Sequence, residues 1–431
     1  MLEAADSWAL VDAHIEDQSE TSFGFLADLV RAPSTLGYEA AAQELVAGEL
    51  ERLGFAIERQ PIPDDIRDHV AAGVPPASYE GRYNVVGRRR GGNGTSLLLH
   101  GHIDVVPADE LTWSVDPWIP TREDGWLVGR GAGDMKSGFA IAALALAALD
   151  ARRPDWLRGE LVFLSAIEEE ATGNGTLAAG LAGVLADAAV LLEPTDLRLL
   201  LAGVGIVWVD IDIRGSSAHA ESADSAVNPI IAALPIIAAL RDFEGQLNTR
   251  ERSDGPFAEL AHPYNLNIGT FHSGDWPSSV PAQAKLGVRV GFPREWTAVE
   301  AFDRLRAVVD DAVEGDPWLA AHPPSMRMSG FRAQGYALDA DHDLVMAFAA
   351  AHRAAHGLEP ARVAMGSTTD ARFYLNQFGV PALAYGARSR NIHGTDEAVE
   401  LASIVQAART LARFLAGHFV DGGWRGQPQI A

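Results

Sequence analysis

The chain has 431 residues, no cysteine, nearly half of its residues apolar, and a formal charge of −24. Disulfides and thiolate metal sites are therefore excluded, and any metal must be held by His, Asp and Glu. The acidic balance opposes nucleic acid and anionic membrane surfaces as partners, and the length predicts two domains.

The opening stretch MLEAADSWALVDAHIED is acidic and lacks the basic and apolar regions of a signal peptide, so a cytoplasmic location is expected. A helical N-terminal segment and the Pro-rich stretch PIPDDIRDHVAAGVPPASYEG lead into an alternation of strand and helix patterns. TSLLLHGHIDVV, GELVFLSAI and DAAVLLEP read as strands, and KSGFAIAALALAALDA and GTLAAGLAGVL as helices. The Ala-rich run GFAIAALALAALD is too short to span a bilayer and reads as a buried helix. This alternation predicts an α/β fold with a mostly parallel sheet flanked by helices, whose ligands bind beyond the carboxyl ends of the strands.

From about residue 204 the pattern becomes a self-contained unit. GIVWVDIDIRG, YNLNIGTFHSG, AQAKLGVRVGF and SMRMSG read as strands, and AVNPIIAALPIIAALRDFE and WTAVEAFDRLRAVVDDAV as helices. The β-α-β-β-α-β order is ferredoxin-like. We expect an inserted α+β domain at 206–328, with 1–205 and 329–431 forming the catalytic domain; DLVMAFAAAHRAAHG as helix and VPALAYG as strand belong to the latter.

The three parallel strands end in ionisable residues: His102 and Asp104, then Glu168, Glu169 and Glu170, then Glu193. Each group taken singly has a plain structural alternative. H-x-D places an imidazole beside a carboxylate that would orient it. Asp134 in GRGAGDMKSG reads equally as a helix N-cap, and its spacing fits neither phosphate-binding glycine loop. Glu193 sits before a proline at a strand end, and His393 lies in the loop NIHGTDE. Three adjacent glutamates are costly unless a cation compensates them.

Together the motifs GHIDVVP, GRGAGDMKSG, EEE, LLEPT, GSSAHAES, GSTTDARF and IHGTDE, in this order from residue 101 to 397, resemble a known pattern. It is that of the dizinc aminoacylase and carboxypeptidase family, which includes acetylornithine deacetylase, succinyl-diaminopimelate desuccinylase and glutamate carboxypeptidase. The resemblance implies two Zn²⁺, with Co²⁺ or Mn²⁺ as substitutes. His102, Asp134 and Glu193 would hold one, and Asp134, a glutamate and His393 the other. Two such ions lower the pKa of a shared water and polarise an amide carbonyl, while a carboxylate that is not a ligand moves the proton.

By register with the family's Asp-Glu-Glu, Glu168 takes the aspartate slot, Glu169 is the base and Glu170 the ligand. The competing register makes Glu168 the base and Glu169 the ligand. From the H-x-D pairing itself, Asp104 is expected to orient His102. The resemblance further implies that His219 of GSSAHA reaches a partner subunit's site to stabilise an oxyanion, hence a homodimer through the lid.

One departure bears on substrate. The family's lid arginine, which grips a substrate carboxylate, falls on Gly291 here, and its asparagine on Ser278. Arg289, two positions away, is a weak substitute; Arg372 matches a family arginine, and Arg388 and Arg390 offer other cations. The expected activity is a metal-dependent N-deacylase cleaving the amide of a small N-acylated amino acid or amine. A metallo-dipeptidase or carboxypeptidase and a formyl-pyrimidine deformylase are alternatives. A non-catalytic binding protein is opposed by the retention of each expected ligand.

Overall fold

Residues 96–102, SLLLHGH, form the strand around which the fold is built. In the computed structural model, which describes residues 2–250 and 255–420, Ser96–His102 runs parallel to Glu160–Ala166 on one side and Ala189–Leu191 on the other. The expected domain limits also take in residues 1, 251–254 and 421–431, which lie outside the described residues. Ala382–Ala384 extends the parallel set beyond Ala189–Leu191. Antiparallel Tyr83–Arg90 and Ala56–Pro61 continue one edge. Leu199–Gly203 continues the other, flanked by Tyr336–Ala337 and Arg362–Met365, in a sheet of nine strands.

Both faces of this sheet are covered, which explains why its strands are continuous apolar runs rather than alternating ones. Leu97, Leu99, Leu161 and Phe163 enter the core with helices Leu2–Arg31, Ser137–Arg152, Asp343–His356 and Leu401–Val420. Leu98, Val162 and Leu164 point the other way, toward Asn174–Leu181 and Ala371–Asn376. Among the described residues one helical run, Ala132–Arg152, is long and apolar enough to cross a membrane, longer than its Ala-rich core suggested. Yet 89% of its apolar window is buried inside the protein, which makes it a core helix.

Residues 205 to 333 form a second, antiparallel sheet in the spatial order Leu266–Ser273, Gln283–Phe292, Gly205–Arg214, Ser325–Ala333. Helices Pro229–Arg250 and Ala298–Val313 cover one face, the latter started by a capping box of Thr297 and Glu300. The arrangement is ferredoxin-like. Alternate residues of Gln283–Phe292 (Ala284, Leu286, Val288, Val290) pack under these helices, so Gly287, Arg289 and Gly291 face the opposite way.

A small four-stranded sheet had no signal in the sequence reading. Thr121–Glu123, Trp126–Val128, Ala398–Glu400 and Ser389–Arg390 pair antiparallel. It sets the loop holding His393 and Glu397 beside the loop holding Asp134.

Candidate active site

His102 ends the central strand opposite Ala166, so its ring lies where the Glu168–Glu170 turn begins. Its Nδ1 donates to the carbonyl oxygen of Asp104 at 2.9 Å, which leaves Nε2 for the site. The Asp104 carboxylate was expected on the imidazole. It stands 3.7 Å from Nδ1 and instead accepts the backbone N–H groups of Glu169 at 3.1 Å and Glu170 at 3.0 Å. Asp104 thus clamps the glutamate turn to the histidine strand, and burial pushes its carboxyl up to about 7.

The three glutamates diverge. Glu168 adopts a left-handed backbone (φ 66°), and its carbonyl accepts N–H groups from Thr172 and Gly173. Its buried carboxylate meets Arg82 at 2.5 Å, the Tyr79 hydroxyl at 2.7 Å and the Thr172 hydroxyl at 2.6 Å. Arg82 in turn pairs with Glu39. Glu169 turns to the cleft, 4.0 Å from His102 Nε2, and Glu170 lies 3.0 Å from His393 Nε2.

Asp134 stands between the imidazoles. Its Oδ1 is 3.1 Å from His102 Nε2 and its Oδ2 is 3.6 Å from His393 Nε2. Glu193 comes within 3.9 Å of His102 Nε2. The loop that aims Asp134 is held by Glu397, whose carboxylate accepts the N–H groups of Gly131, Gly133 and Asp134 at 2.9 to 3.0 Å and pairs with Arg130. Gly131 takes a φ of 76°, which glycine adopts without strain. The Nζ of the buried Lys136 donates to the Leu29 and Ala32 carbonyls, fastening the same loop to the end of the first helix.

The electrostatics suit cations. Burial raises Glu193 to about 8 and lifts Glu169 well above the carboxylate range, opposed by His102 and reinforced by neighbouring acids. Burial disfavours charged His102 and His393, but the surrounding carboxylates overcome it, and His393 is raised to about 11. Asp134, between those two rings, stays below its ordinary range despite burial. A cluster that needs protons to balance its charge is one that divalent cations fit, and its donors are the hard-to-borderline kind. Candidate ligand atoms of His102, Asp134 and Glu170 all lie within 4.8 Å of one another.

The other expected residues are placed differently. His219, on the short strand Ala218–His219 paired with Ser279–Val280, is exposed, and its Nδ1 accepts the N–H of Glu221. Arg372 is buried, donating to the Thr369 and Thr172 carbonyls at 3.0 and 2.9 Å, so it ties two loops together rather than facing a ligand. Arg388 pairs with Glu400 at 2.7 Å, and Arg390 lies over the Trp126 ring. None of these three arginines lines the cleft of about 1380 Å³ into which Asp134, Glu169, Glu170, Glu193 and His393 face. Sequence reasoning gave no role to Arg82, Glu397 or the buried Asp370. Glu397 and Asp370 each carried a signal, as members of the quoted IHGTDE and GSTTDARF motifs; Arg82 carried none.

The profile described as Peptidase family M20/M25/M40 matches residues 98–417. A succinyl-diaminopimelate desuccinylase of Methylorubrum extorquens is 32% identical, with 91% of this chain and 97% of that one covered. The N-formyl-4-amino-5-aminomethyl-2-methylpyrimidine deformylase of Bacillus subtilis (strain 168) is 26% identical over 94% of this chain and 95% of its own. Among solved structures, the di-peptidase Dug1p of Saccharomyces cerevisiae superposes with a TM-score of 0.77 at 15% identity, covering 95% and 98% of the two chains. The Bacillus subtilis YXEP protein, a dinuclear metal-binding peptidase, does so with a TM-score of 0.59 at 17% identity over 94% and 99%.

Proposed function

The chain belongs to peptidase family M20/M25/M40, a family of metal-dependent amidohydrolases, and from that premise we propose that it is a dizinc N-deacylase of small N-acylated amino acids or amines. The observation that carries the reading is the divergence of the glutamates: Glu168 is consumed by Arg82, which leaves Glu169 as the carboxylate in the cleft beside the ligand cluster. His102, Asp134 and Glu193 would hold one ion and Asp134, Glu170 and His393 the other, with Asp134 shared. Two Zn²⁺, for which Co²⁺ or Mn²⁺ would substitute, supply Lewis acidity to the amide carbonyl and the attacking water.

The chain's own contribution is proton transfer and positioning. Glu169, a cleft carboxylate that is not among the proposed ligands, accepts a proton from water as the water oxygen attacks the carbonyl carbon. It returns that proton to the amine nitrogen as the carbon–nitrogen bond breaks, giving a carboxylic acid and an amine. Asp104 holds the backbone of Glu169 and Glu170 in place for both tasks.

We take residues 206–328 as an inserted lid, with 1–205 and 329–431 as the catalytic domain, and infer a homodimer through the lid in which His219 serves the partner's oxyanion. The exposed position of His219 supports the second point. A deformylase or dipeptidase is the alternative, favoured by the names of the B. subtilis relative and of Dug1p. The test is to load the purified protein with zinc and present N-acetyl, N-formyl and N-succinyl amines beside dipeptides. Turnover of N-acyl amines, lost on chelation and restored by zinc, is the expected result; two bound metals with no hydrolysis of any of them would sink the reading.

A further inference from the structure

Strand Ser325–Ala333 of the second sheet breaks register between Ser329 and Arg332, a bulge that re-aims three consecutive residues. All three touch the catalytic domain. The Gly330 carbonyl accepts the Val74 N–H at 2.8 Å, Arg332 Nε donates to the Ala72 carbonyl at 2.8 Å, and the Phe331 ring lies 5.3 Å from the Arg372 guanidinium. Ala72 and Val74 belong to the long connection, residues 62–82, between strands Ala56–Pro61 and Tyr83–Arg90. Gly73 between them is buried where a side chain has no room. A Cβ there would meet the Gly330 carbonyl oxygen at 2.7 Å on one side, and Thr172 Cβ and Cγ2 at 2.7 and 2.9 Å on the other. Its φ lies outside the left-handed region, so space alone demands glycine.

Thr172 belongs to the turn that carries the glutamates, and the same connection grips that turn at further points. Asn174 is fully buried; its Oδ1 accepts the Gly73 N–H at 2.9 Å, and its Nδ2 donates to the Gly73 carbonyl at 3.2 Å and to the Tyr79 hydroxyl at 2.8 Å. Tyr79 donates onward to Glu168, which Arg82 at the end of the connection also holds. The Thr172 hydroxyl donates to the Glu168 carboxylate and accepts the Asn174 N–H at 3.0 Å. Glu169 and Glu170 lie between these fixed points. A chain of direct contacts therefore runs from the bulge, through Ala72–Val74, to both ends of the turn.

Residues 72–79 are not among those lining the cleft, so their part in the reaction is exerted through the turn. We propose that this connection is a positioning strap: seating of the second sheet's bulge on Ala72–Val74 sets the Glu168–Gly173 turn, and Glu169 and Glu170 take their working places only while that sheet is seated. This rests on the readings of Glu169 as base and of the second sheet as lid. Close packing gives such a path little slack, because a shift of Gly330 against Gly73 is passed on to Thr172 and Asn174 rather than absorbed. The turn has little tolerance either, since a misplacement of about 1 Å can cost on the order of 10²-fold in rate.

Zinc-loaded variants are assayed on N-acetyl, N-formyl and N-succinyl amines and followed by hydrogen–deuterium exchange of the 167–174 peptide. R332M cuts the strap at its far end, in the other domain. We expect kcat to fall about tenfold with KM within about threefold of wild type, and exchange of residues 167–174 to rise. R332K, which keeps one donor for the Ala72 carbonyl, recovers part of both, and G73A, whose Cβ would press Gly330 and Thr172 apart, acts like R332M. R327Q lies on the same strand but pairs with Asp210 and Asp212, and it leaves both readouts at the wild-type level. Y79F cuts the strap at its near end, so Y79F/R332M loses no more kcat than the worse single variant; losses that multiply overturn the proposal. Unchanged exchange of residues 167–174 in R332M also overturns it, whether or not the protein hydrolyses anything. If wild type hydrolyses none of these amines, the deacylase reading fails instead and exchange alone decides for the strap.

Discussion

Arg82 Nη1 lies 2.5 Å from Glu168 Oε2, in an ion pair whose side chains are 5% and 0% exposed. Such a pair adds little net stability, but removing one partner strands a buried charge at a cost of about 3–5 kcal/mol. Arg82→Met, which strands both Glu168 and Glu39, should lower the unfolding midpoint by several degrees. Glu168→Gln retains an oxygen for the Tyr79 and Thr172 hydroxyls and should cost less, with kcat within about tenfold of wild type. Thermal unfolding with steady-state kinetics checks this, and a collapse of kcat in Glu168→Gln with metal content intact would return the base to that position.

Glu169→Gln is the complementary case. It leaves the ligand set His102, Asp134, Glu170, Glu193 and His393 untouched, so metal content by atomic absorption should match wild type. Turnover should fall by about 10²–10⁴-fold, the usual contribution of a positioned general base. Full activity in this variant would refute the assignment.

Glu397 touches no candidate metal ligand except through the Asp134 backbone N–H, at 2.9 Å. Replacing it with Gln keeps the size of the side chain but exchanges one accepting oxygen for an NH₂ that faces donors. Groups that orient ligands in this way typically contribute 10–100-fold to metal affinity. We expect weaker zinc retention of that order in competition with a chelator, and unaltered retention would count against a positioning role.

The features readable in the sequence are those that repeat locally. Continuous apolar strands ending in His102, Glu168–Glu170 and Glu193 exposed the parallel sheet and the rim where its ligands gather, and the β-α-β-β-α-β order exposed the second sheet. Long-range partnerships left no local trace. Glu168 filled an unexplained slot because Arg82 is 86 residues away. Asp104 was read as a partner of its near neighbour His102, whereas its carboxylate is used 65 and 66 residues on. Arg372 matched a motif, but packing turned it onto carbonyls inside the protein.

His219 faces solvent in one chain, with its strand paired to Ser279–Val280. If it serves the partner's site, a mixture of His219→Ala and Glu169→Gln protomers contains heterodimers with one intact composite site. Mixed, dissociated and reassociated protein should recover up to about a quarter of wild-type activity, since random pairing makes half the dimers mixed and each carries one working site of two. Activity no higher than that of the separate variants would argue that His219 acts within its own chain or not at all.

Away from the cleft, His352 lies on helix Asp343–His356, with Nδ1 2.8 Å from the Tyr385 hydroxyl, which in turn lies 3.1 Å from Thr410 of helix Leu401–Val420. Burial lowers its pKa from 6.5 to about 4, His356 adding to the shift and Glu359 opposing it. The folded pKa is below the unfolded one, so as pH falls through 6.5 the unfolded chain takes up a proton that the folded chain refuses. Stability from this group is therefore complete above pH 6.5 and declines until about pH 4, where the folded ring also titrates. The shift corresponds to about 3 kcal/mol at most, and screening by nearby solvent reduces it to about 1–2 kcal/mol. His352→Gln removes the titration, so its stability should fall less steeply than wild type between pH 6.5 and 4, as measured by denaturant midpoints at fixed ionic strength. Parallel pH profiles would show that the ring does not refuse its proton in the folded state.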